Sequence, residues 1–164
     1  MNEGEFVQCY EEFADALFRH CYFRISERER AHDLVQEAFC RAWQYIAAGN
    51  KIENPRAFLY RVANNLIVDE ARKKHPLSLD RLREEGFDPG EDQRPALTTH
   101  LDAKRLLSLL DAFDSKHREL IVMRYVDGLG PKGIAEITGE SENVISVRLH
   151  RAIDKLKGIW KSHG

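Results

Sequence analysis

Apolar residues in this 164-residue chain recur every three or four positions over most of its length, and no β-branched stretch alternates apolar with polar residues. That period stacks side chains on one face of a helix, whereas a half-buried strand needs a period of two. Leu34, Val35, Ala38, Phe39, Ala42, Trp43 and Ile46 make one such face, predicting a helix over about residues 27–48. Ser26-x-x-Glu29 reads as a capping box at its start, and Gly49 is placed to close it in the left-handed conformation. Asn54 and Pro55 open a further helix as N-cap and first helical residue. Its stripe is Phe58, Leu59, Val62, Ala63, Leu66 and Ile67, and it runs to about Lys74. A first helix, about 5–24, carries Phe6, Tyr10, Phe13 and Leu17. The expectation is an all-α chain.

The period stops at about residue 75. Pro76, Pro89, Pro95, Gly86, Gly90 and the acidic run Gly90-Glu91-Asp92 break any long helix there. Leu77, Leu79, Leu82 and Phe87 are too apolar for a free tether, so short docked helical turns are expected. Two small lobes therefore flank a linker: a three-helix lobe over 1–74, the linker over 75–101, and a four-helix lobe over 102–164. The second lobe's helices are expected at about 102–113, 115–127, 131–138 and 142–161.

Charge separates these parts. The first 74 residues carry 11 Lys and Arg against 12 Asp and Glu; the linker carries 3 against 6; the last part carries 11 against 9. Arg148, Arg151, Lys155, Lys157 and Lys161 face only Asp154, which suits either a solvated helix face or a phosphate backbone. No apolar run reaches the ~18 residues of a membrane span, and the acidic start Met1-Asn2-Glu3-Gly4-Glu5 lacks the basic region of a signal peptide. A soluble cytoplasmic protein is expected. Cys9, Cys21 and Cys40 form no C-x-x-C pair and no zinc spacing, so they are expected as buried small side chains, with no metal or cofactor.

The stretch from Pro131 to Ile145 has the form of a helix-turn-helix: a short helix, a turn containing Gly139, and a second helix capped by Ser141. Ala135 is small where the second helix crosses, and Ile145 fills the angle between the two. At ~100° per residue, Ile145, Leu149, Ala152, Ile153, Leu156 and Trp160 share an arc that must face a core. Asn143, Val147, His150 and Asp154 lie opposite, flanked by Ser146 and Arg151. An apolar Val147 on that polar face has no core partner, and a thymine methyl in the major groove would suit it.

On these residues the chain resembles a small extracytoplasmic-function sigma factor of bacterial RNA polymerase, over nearly its whole length. The run Asp33-Leu34-Val35-Gln36-Glu37-Ala38-Phe39-Cys40-Arg41-Ala42-Trp43 is similar to region 2.2 of that family, which holds the clamp helices of the polymerase β′ subunit. Asn54-Pro55-Arg56-Ala57-Phe58-Leu59-Tyr60-Arg61-Val62-Ala63-Asn64-Asn65 resembles the regions that open and read the minus-10 element. Gly128 through Leu156, with Val147-Arg148-Leu149-His150-Arg151-Ala152, resembles region 4, which reads the minus-35 element. His32, Phe58 and Gly130-Pro131 depart from the acidic residue, the Trp and the Ser or Thr usual in the family.

The resemblance implies a specificity subunit without catalysis of its own. Asp33, Gln36, Glu37 and Arg41 would contact core polymerase, whose β′ clamp helices and β flap are the implied partners. Asn50, Lys51, Arg56, Tyr60, Arg61, Asn65, Arg72 and Lys73 would serve the minus-10 element: the cations on phosphates, the loop over 48–53 and Asn65 as the trap for an extruded base, Tyr60 as a stacking surface. Phe58 fits the core period better than a stack. Ser141, Asn143, Ser146, Val147, Arg148, His150 and Arg151 would serve the minus-35 element, Arg151 by either a guanine edge or a phosphate. Low net charge suits an anti-sigma factor that covers both DNA-binding faces. Other readings are a one-component helix-turn-helix regulator and, more distantly, a hydrolase using His32 and Asp33.

Overall fold

The computed structural model describes residues 2–74 and 100–163. Helices α1 (Glu3–Ile25), α2 (Arg28–Ala47) and α3 (Pro55–Lys74) form the first lobe. Helices α4 (His100–Leu110), α5 (Ser115–Ile121), α6 (Pro131–Thr138) and α7 (Glu142–His163) form the second, and α5 continues into a wider π-helical turn over Val122–Val126. No strand occurs among the described residues. The docked turns expected between Pro76 and Pro95 lie outside the described residues.

The first lobe closes around Leu17, Cys21, Ala31, Leu34, Ala38, Phe39, Leu59 and Ala63, the stripes expected from the period. Asn2 caps α1 in a reciprocal box with Glu5, its Oδ1 accepting from the Glu5 N–H at 2.8 Å. Asn54 caps α3, accepting from the Ala57 N–H at 3.1 Å. Gly49, at φ +96°, follows α2 in the left-handed region as the sequence implies. The box at Ser26 is not formed. Ser26 instead ends α1 at φ 61°, and Glu27 precedes α2 without a side-chain cap. The Ser26 hydroxyl is engaged by the second lobe, accepting from Arg118 Nη2 at 2.8 Å. Trp43, expected in the core stripe, is 40% exposed and meets Phe6 edge-on, 5.0 Å between ring centroids.

In the second lobe Glu119 through Met123 are buried in succession, so this stretch is enclosed on all sides. It packs between α1 of the first lobe and α7 of its own. The π turn then ends by delivering Asp127, whose N–H donates to the Val122 carbonyl, to the boundary between the lobes. Ile134, Ile137, Ile145, Leu149 and Ala152 hold α6 on α7, and Gly139 (φ +78°) makes the turn between them. The buried residues of both lobes merge into one core.

Cys9 and Cys21 are buried as expected, whereas Cys40 lies on the exposed side of α2, one residue beyond the Ala38–Phe39 stripe. Burial, reinforced by Asp127 and opposed by Arg24, pushes the Cys21 thiol up to about 12. A native thiol titration at pH 8 should therefore show one fast-reacting cysteine, Cys40, of the three. A fast second equivalent would mean that α1 is open in solution.

Candidate polymerase and nucleic-acid interface

Burying one side of α2 fixes what the other side presents. Asp33, Gln36, Glu37 and Arg41 all stand on its exposed side. Arg41 Nε donates to Glu37 Oε1 at 3.0 Å, Gln36 Nε2 donates to the Tyr10 hydroxyl at 2.9 Å, and Asp33 lies 3.5 Å from Arg30. The structure brings these four together as one polar strip. His32 and Asp33 do not pair: the His32 ring stacks on Phe18 at 4.3 Å.

Helix α7 is divided in the same way. Ile145, Leu149 and Ala152 are buried, while Leu156, Ile153 and Trp160 are half-buried at its far end. Asn143, Ser146, Val147, His150 and Arg151 are exposed, Val147 by 51%. Ser141 Oγ accepts from the Val144 N–H at 3.2 Å, the capping bond the sequence implies. Arg148, also exposed, pairs with Glu140 at 2.6 Å. Val144, also exposed by 40%, is a second outward valine that the sequence reading did not single out.

The minus-10 candidates meet a different fate, because the second lobe lies against α3. Arg56 Nη2 donates to the Asp127 carbonyl at 2.8 Å, and Arg61 donates to the carbonyls of Glu136 and Ile137 at the C-terminal end of α6. Unsatisfied carbonyls and the negative dipole end of a helix attract a guanidinium. Tyr60 is fully buried, edge-on to His20 at 5.1 Å, so in this arrangement its ring offers no face to a base. Burial, with Asp127, pushes its phenol up to about 12 against the opposing effect of Arg56. Asn50 Nδ2 donates to the Tyr45 carbonyl at the end of α2. Lys51, Asn65, Arg72 and Lys73 are exposed. Phe58 is half-buried against Tyr45, in keeping with a core role. Asn65, Arg72 and Arg41 line one wall of a cleft of about 880 Å3 between the lobes, and Lys116, Arg148 and Arg151 line the other.

The seam itself is a buried polar network that the sequence reading missed. His20 Nδ1 lies 2.6 Å from Asp127 Oδ2 with both side chains fully enclosed. Arg24 Nη1 donates to Asn64 Oδ1, and Asn64 Nδ2 donates to Glu119 Oε1 at 3.3 Å. Burial depresses the Arg24 guanidinium below its ordinary value, with Glu119 the chief opposing charge. Arg118 Nε donates to the Phe23 carbonyl at 2.7 Å, and its Nη1 to Asp111 at 3.0 Å. His20 Nε2, Asp127 Oδ1 and Arg24 Nη2 find no side-chain or backbone partner there. A signal was available: His20 and Arg24 sit at core positions of α1, on the face that carries Leu17 and Cys21, where polar residues need an explanation.

Comparison with known proteins places both lobes in one family. Residues 9–76 match the model of Sigma-70 region 2, and residues 103–156 match that of Sigma-70, region 4. The chain is 29% identical to the ECF RNA polymerase sigma factor SigL of Mycobacterium tuberculosis over 149 residues, covering 90% of this chain and 84% of that one. It is 25% identical to the ECF RNA polymerase sigma factor SigW of Bacillus subtilis over 170 residues, covering 95% and 89%. The sigma factor RpoE of Bartonella quintana, solved in complex with the anti-sigma factor NepR, shares the fold at a TM-score of 0.73 and 24% identity, over 96% of this chain and 97% of that one. Two matched regions in order account for most of the chain and set aside the one-component regulator. The chain belongs to the sigma-70 family of RNA polymerase sigma factors, in its extracytoplasmic-function branch, and it directs core RNA polymerase to promoter DNA.

Proposed function

We propose that the two outward faces divide the work of promoter selection. Residues 1–74 bind core polymerase and act at the minus-10 element, residues 102–164 read the minus-35 element, and 75–101 connect them. Asp33, Gln36, Glu37 and Arg41 meet the β′ clamp helices, and the second lobe meets the β flap. Asn50, Lys51, Arg56, Arg61, Asn65, Arg72 and Lys73 act on the opened minus-10 DNA. Ser141, Asn143, Ser146, Val147, Arg148, His150 and Arg151 act on the minus-35 duplex. The observation that carries this is the outward face of α7: apolar Val147 stands exposed among hydrogen-bonding groups, opposite buried Ile145, Leu149 and Ala152. Phosphodiester chemistry stays with the polymerase, and the chain works in the cytoplasm. No helix among the described residues is long and apolar enough to cross a membrane. An anti-sigma factor, the kind of partner with which the Bartonella relative was solved in complex, completes the set of partners.

The clamp assignment has a direct test. Gln36→Ala with Glu37→Ala removes two exposed hydrogen bonds, each worth only a few tenths of a kcal/mol to the fold. The melting temperature should stay within about 2 °C. Affinity for core polymerase should fall about tenfold or more, equivalent to about 1.4 kcal/mol. Unchanged core affinity with a lowered melting temperature would assign both residues to the fold alone.

A further inference from the structure

We propose that Val144 and Val147 together read the 5-methyl groups of two nearby thymines in the minus-35 element. This rests on α7 entering the major groove, as set out above. The valines stand three residues apart, 40% and 51% exposed, on the first two turns of the second helix of the helix-turn-helix. Those turns are where such a helix meets base edges. Residues three apart are neighbours on a helix surface, so the pair forms one small apolar step. Asn143, Ser146, His150 and Arg151 surround it with groups able to bond bases or phosphates. Capping by Ser141 leaves further amides of the first turn free for a phosphate. A protein partner would more often be met by a wider apolar patch. An isolated apolar step within a polar rim matches the thymine methyl, the one apolar feature of the major-groove edge.

The test uses the holoenzyme on a promoter recovered from a library, with each minus-35 thymine replaced in turn by deoxyuridine, which removes only the methyl. Wild type should lose about fourfold in affinity at each of two positions, the value of one buried methyl. Val144→Ala should become indifferent to one replacement and Val147→Ala to the other. Both substitutions are on exposed helical positions where alanine favours the helix, so folding is preserved. Val144→Ala retaining wild-type sensitivity at every position overturns the pairing. So does a Val144→Ala loss that appears in core assembly and not on DNA. If no promoter is recovered at all, the failure belongs to the functional reading and not to the valines.

Discussion

Val147→Asp should abolish transcription from promoters that depend on a minus-35 element, by a hundredfold or more, while leaving the protein folded. The substitution replaces an exposed apolar group with a carboxylate on the face turned toward the groove. There it meets the field of two phosphate backbones, loses the apolar contact, and must give up hydration with no donor placed to receive it. Nothing in the core changes, because Ile145, Leu149 and Ala152 occupy the opposite side of α7. Thermal unfolding should therefore remain within a few degrees of wild type, and core affinity should be retained. Runoff transcription alongside core binding checks this. Full activity of the Asp variant would remove α7 from the groove.

Asn65→Ala should cost about ten- to thirtyfold in open-complex formation on duplex promoters and much less on templates already mismatched over the minus-10 region. Extruding a base costs a few kcal/mol, and a trap that recovers one or two of them changes the opening equilibrium by that factor. Asn65 is exposed on α3 and lines the cleft between the lobes, so removing its amide leaves no buried group unsatisfied. Its neighbour Asn64 is a different matter, being buried between Arg24 and Glu119. Permanganate footprinting on paired duplex and bubble templates separates the two stages. Equal losses on both would assign Asn65 to binding and not to strand opening.

The fold was legible because helical period, caps and breakers agreed. Asn54-Pro55 opens α3, Gly139 makes the turn of the helix-turn-helix, and Ser141 caps α7. Failures cluster where one lobe recruits residues from the other. Ser26 looked like an N-cap, but its hydroxyl is bound by Arg118, some ninety positions away. Tyr60 looked like a surface for a base, but its ring is enclosed beside His20. The pairing of His20 with Asp127 spans 107 positions, and no local pattern encodes such a contact. Val144 was missed for a simpler reason: a helical wheel gives direction but not exposure, and Val144 is 40% exposed.

Transcription by core RNA polymerase on a randomised promoter library, with and without the purified chain, tests the central claim most directly. Added chain should produce new start sites, and the templates giving rise to them should share two short motifs at a fixed spacing. The upstream motif should be altered by changes in α7, and the downstream one by changes in α3. Start sites identical with and without the chain would contradict the account.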